Sequence, residues 1–75
     1  MNDFLVQYAD NDVMVHEWTK ADSPLDAAAN VLIDRGFSAM LHQNDETLII
    51  VVCKTNWQAG VYPVSDVRAR ANHMV

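Results

Sequence analysis

Three histidines, one cysteine and ten carboxylates are the residues of this 75-residue chain whose types could do chemistry. His16 and His42 both fall in alternating segments and can share one sheet face, with Thr47 opposite His42. Metal-binding patterns need donors at fixed spacing, and no H-x-x-x-H, C-x-x-C or H-E-x-x-H is present. Glu17, the nearest carboxylate, alternates to the other face, so no metal site is expected. Cys53 ends the run Ile49-Ile50-Val51-Val52 and reads as a small buried hydrophobe. No oxyanion-hole or orienting motif accompanies it. Ser23, Ser38 and Ser65 lack the G-x-S-x-G context of an exposed nucleophile, and two of them look like helix caps. Two glycines cannot build a phosphate-cradling loop. No catalytic residue, metal or cofactor is therefore expected, and the chain does not read as an enzyme.

Charge narrows the partners. The formal net charge is −5, and the basic residues are only Lys20, Lys54, Arg35, Arg68 and Arg70. Nucleic-acid binding draws on a basic face, so a direct contact with DNA or RNA is disfavoured. The acids offer a different reading. Asp10, Asp12, Asp45 and Glu46 gather at two expected hairpin tips, while Asp26 and Asp34 lie on a helix. Such carboxylates could imitate a phosphate backbone and inhibit a DNA- or RNA-binding protein. The longest apolar run, Leu48 to Cys53, is far too short to cross a bilayer. Nothing reads as a secretory signal, and a lone cysteine forms no internal disulfide. A cytoplasmic protein with no membrane partner is expected.

These residues must be positioned by elements, and one element has both ends written in. Ser23-Pro24-Leu25-Asp26 is a helix start, with Ser23 as N-cap, Pro24 at the first position and Asp26 completing a capping-box-like pattern. Gly36 supplies a left-handed stop. Between them Leu25, Ala28, Ala29, Leu32 and Ile33 form an apolar stripe at helical spacing.

Alternating segments flank this helix. Phe4–Tyr8 and Val13–Thr19 read as a hairpin about Asp10-Asn11, setting Tyr8 opposite Val13 and Val6 opposite Val15. Its core face is then Phe4, Val6, Tyr8, Val13 and Val15, and its other face Leu5, Gln7, Met14, His16 and Trp18. Phe37–His42 and Thr47–Lys54 read as a second hairpin about Asn44-Asp45, with Leu48, Ile50 and Val52 on the core face. Ile49, Val51 and Cys53 then join Ser38, Met40, His42 and Thr47 on the mixed face. Residues 55–60 read as a loop and 61–64 as a short edge strand, where Pro63 is tolerated. Ser65 is placed to cap a last helix reaching about Met74.

The expected fold is one small α+β domain over residues 1–75: an antiparallel sheet of four to five strands in the order β-β-α-β-β-(β)-α. One main helix packs on one sheet face. Leu5, Met14, Trp18, Met40, Ile49 and Val51 would then form an apolar patch on the opposite face unless the last helix covers it. Met14, His16, Trp18 and Met40 are the candidate partner-binding residues on that face, and Trp57 is a separate loop anchor. The function this suggests is a non-catalytic interaction module that binds and occludes a larger protein, as a homodimer in one version. A small accessory or inhibitor protein of the kind phages and mobile elements carry would fit.

Overall fold

The computed structural model describes residues 1–10, 12–35 and 47–74. The elements are β1 (Asn2–Asp10), β2 (Val13–Ala21), α1 (Pro24–Asp34), β3 (Leu48–Cys53), β4 (Ala59–Pro63) and α2 (Val64–Met74). The four strands form one antiparallel sheet in the order β2-β1-β3-β4. The class is α+β, as expected from the alternating segments around a capped helix.

The first hairpin keeps its expected faces in a different register. Tyr8 pairs with Val15, Val6 with Glu17 and Phe4 with Thr19, two residues away from the pairing drawn about Asp10-Asn11. The strands close at Asp10 and Val13, and Asp12 adopts a left-handed φ of 67°. Positive φ in a two-residue connection matches the twist of the flanking strands better than an ordinary turn does. A slip of two leaves every side chain on its face. Phe4, Val6 and Tyr8 are accordingly buried, whereas Val13 is exposed.

The second half is corrected more deeply. The expected strand Phe37–His42 lies outside the described residues, as do Gly36, Met40, Asp45 and Glu46. Both edges of β3 are taken by β1 and β4. Val6 pairs with Val51 and Phe4 with Cys53, so Ile49, Val51 and Cys53 share the core face. Ile49 and Val51 are buried while Leu48 is 57% exposed, the reverse of the expected faces. The run is apolar on both sides, so its periodicity could not choose between them.

Ser23 caps α1 as expected: its Oγ accepts from the Asp26 backbone N–H at 3.2 Å. The buried arc of α1 is Ala27, Ala28, Ala29, Val31 and Leu32, with Leu25 and Ile33 only partly covered. It is wider than the expected stripe because α2 packs alongside α1 while the sheet lies beneath. α2 starts at Val64, one residue before Ser65, directly from β4. Its first N–H donates to the Thr47 carbonyl at 2.8 Å. Val64, Val67 and Ala71 join the same cluster as Phe4, Val6, Ile49 and Leu32. Both helices therefore cover one face of the sheet.

Candidate interaction surface

The sheet's other face is where the candidate residues converge. Strand pairing lays them out in rows across all four strands. One row runs Trp18–Leu5–Val52–Ala59 and the next His16–Gln7–Ile50–Val61. Met14 lies further along β2, and Leu48 pairs with Pro63 on the far side. Trp18 is 56%, Met14 53% and Val61 53% exposed, and Leu48 and Ile50 are also open. Soluble monomers rarely present contiguous apolar surface beyond a few hundred Å². Neither helix covers this face, and no other described element lies over it.

The charged groups described on the face sit at one end. Lys20 pairs with Asp3 across β1 and β2, Nζ to Oδ1 at 3.3 Å. The Lys54 backbone N–H donates to the Asp3 carbonyl at 2.9 Å. Lys54 Nζ stands 5.8 Å from the centre of the Trp18 ring, within reach of a cation–π attraction. Apart from Asp3, no described carboxylate side chain lies in these rows.

The candidates separate on this geometry. Met14, His16 and Trp18 come together on the open face as expected, all exposed. Met40 lies outside the described residues. Ile49 and Val51, expected beside them, are core. Leu48, Ile50, Val52, Ala59 and Val61 replace them, and only the pairing of β3 with β1 and β4 identifies them. Trp57 stands apart in the β3–β4 connection, 68% exposed at a left-handed φ of 58°. An aromatic residue rarely accepts that conformation. It is held by two hydrogen bonds that close the loop: Trp57 N–H to the Cys53 carbonyl at 2.7 Å and Cys53 N–H to the Gln58 carbonyl at 2.9 Å.

The acids are dispersed by comparison. Asp10 ends β1 and Asp12 follows in the turn, whereas Asp26 and Asp34 occupy opposite ends of α1. Asp26 accepts from Arg70 Nε at 2.5 Å, which ties α1 to α2. The Arg70 hydrogen bond holds the Asp26 carboxyl below the ordinary carboxylate range, against a smaller opposing effect of burial. Glu17 accepts from Arg35 Nε at 2.8 Å and also pairs with Arg35 Nη2, fixing the end of α1 to β2.

A hollow of about 370 Å³ opens at the helix side of the sheet's end, lined by Phe4, Asp22, Cys53, Gln58 and Tyr62 among others. Cys53 is the free cysteine, and His16 lies on the opposite sheet face. No histidine stands in this lining beside Cys53. Among the described residues no three His, Cys, Asp or Glu side chains gather as a metal cage. No described helix is long and apolar enough to cross a membrane. Comparison with family models, curated proteins and solved structures returns no match, so the functional reading rests on this chain's own geometry.

Proposed function

We propose that this chain is a non-catalytic protein-interaction module whose contact surface is the open sheet face. The observation that carries the reading is the pair of rows Trp18–Leu5–Val52–Ala59 and His16–Gln7–Ile50–Val61, apolar at six of eight positions and left uncovered by both helices. Trp and Met are enriched where proteins meet, and a rigid sheet presents them at small entropic cost. The module acts by occupying a protein surface, in the manner of a small accessory or inhibitor protein. The nucleic-acid-mimic alternative draws on Asp10, Asp12, Asp26, Asp34, Asp45 and Glu46. It has less to stand on, because Asp26 is neutralised by Arg70 and Asp34 is a helix length away.

The test is affinity capture from the native host with mass spectrometry, using the tagged chain and its Trp18→Ala, Ile50→Ser and Trp57→Ala variants. The reading expects one protein to be lost from both face variants and retained by Trp57→Ala. Capture indifferent to Trp18 and Ile50 overturns it.

A further inference from the structure

Resting on that reading of the open face, we infer that the protein which covers it is a second copy of this chain. The two copies pack sheet against sheet about a two-fold axis parallel to the strands.

Area is the first argument. The molecule measures 31 × 27 × 18 Å along its principal axes. Two packed layers, sheet and helices, account for the short axis, so the open face is one of the two broad sides. A stable interface of standard size takes roughly 800 Å² from each partner, an extent that the two longer axes admit. A chain of 75 residues whose two described helices share one sheet face is also near the size at which small domains recruit a second subunit.

Charge is the second. Two chains of formal charge −5 repel unless their acids stay out of contact. Asp12, Asp22, Asp26, Asp34 and Asp66 lie in turns and helices, and Glu17 lies on the helix side with Arg35. Among the described side chains the face brings only Asp3, already paired with Lys20, together with Lys54. Face-to-face contact therefore buries no unpaired carboxylate among the described side chains, a condition that buried interfaces require.

Shape selects the axis. Side chains on the face shrink across the sheet, from Trp18, His16 and Met14 on the β2 edge to Ala59 and Val61 on the β4 edge. A two-fold axis along the strands sets β2 of one copy over β4 of the other. Trp18 then fills the space above the partner's Ala59, His16 meets the partner's Val61, and Leu5 meets the partner's Val52. Large opposite small is how two layers interdigitate without voids. An axis across the strands sets β2 over β2, crowding tryptophan and methionine at one edge and leaving a gap at the other.

The experiment is sedimentation equilibrium of the whole chain from about 1 to about 100 µM, with Trp18→Ala, Ala59→Trp and the double variant. Circular dichroism of each variant confirms that the fold persists, since both positions are exposed. The expected result is a dimer weakened at least tenfold, about 1.4 kcal/mol, by either single change. The double variant, which moves the large residue to the opposite edge, recovers the wild-type constant to within about threefold. A chain that stays monomeric throughout overturns the inference. So does a dimer indifferent to Ala59→Trp, which would mean pairing through the β2 edge instead. Either failure is distinct from failure of the interaction reading, which is judged by whether Trp18→Ala loses a heterologous protein in the capture experiment.

Discussion

Single residues decide where this fold is strained and where it is filled. Asp12 occupies a left-handed φ of 67°, a conformation that glycine adopts without the Cβ penalty and other residues at some cost. Asp12→Gly would create the Asn-Gly pair that two-residue hairpins favour. It should raise stability by about 0.5–1 kcal/mol, read as a higher urea midpoint at unchanged slope. Loss of stability would mean that the aspartate side chain matters more than its backbone. The adjacent pair Ile49 and Ile50 tests the reversed face of β3. Ile49 is fully buried and Ile50 is 36% exposed. Ile49→Ala should cost about 2–4 kcal/mol through lost burial and the cavity left behind. Ile50→Ala should cost the monomer well under 1 kcal/mol, so denaturation of the two variants at low protein concentration separates them. Equal losses would put both residues in the core. Val13 belongs at this scale too: its alternation puts it on the core face, yet it is 64% exposed, and nothing local to Val13 records that.

The elements were legible where their signals are local. Ser23, Pro24 and Asp26 place the start of α1 because capping is a three-residue affair settled within the segment. The alternation of Phe4, Val6 and Tyr8 fixes the faces of β1 even though the hairpin register is off by two, since an even slip preserves the pattern. β3 was misread because Leu48-Ile49-Ile50-Val51-Val52 is apolar at every position. Its orientation is set by β1, more than 40 positions earlier in the chain. The patch residues Leu48 and Ile50 were missed for the same reason, while Met14, His16 and Trp18 were found because β2 alternates. Contacts between elements make their own prediction. Arg70 on α2 lowers the pKa of the Asp26 carboxyl on α1 by a direct hydrogen bond. A carboxyl with a depressed folded-state pKa stabilises the fold above its unfolded value. That contribution is lost as the pH falls through the folded-state value. Arg70→Gln should therefore lower the urea midpoint by a similar amount from pH 7 down to about 5, with the difference closing below the ordinary 3.8. Molar salt should shrink the difference, because both side chains touch solvent. A difference that persists in acid would assign the effect to packing of the arginine stem instead.

At the scale of the molecule, the controlling fact is that both helices lie on one face of a four-stranded sheet. One core cluster unites β1, β3, α1 and α2, and no described residue of the opposite face belongs to it. If the open face is the proposed contact surface, substitutions on the helix side act on folding and substitutions on the open side act on association. Association that binds the folded chain and not the unfolded one stabilises it by mass action. The melting temperature of the wild-type chain should therefore rise with protein concentration, by several degrees over a hundredfold range for a domain of this size. Trp18→Ala and Ile50→Ser should flatten that dependence, converging on the wild-type melting temperature at the dilute end. The direction is diagnostic. A variant that lowered the melting temperature equally at all concentrations would act on the monomer, and the open face would then belong to the fold. A wild-type chain whose melting temperature ignores concentration, while Trp18→Ala still abolishes capture of another protein, would keep the face as an interaction surface and give it to a different partner.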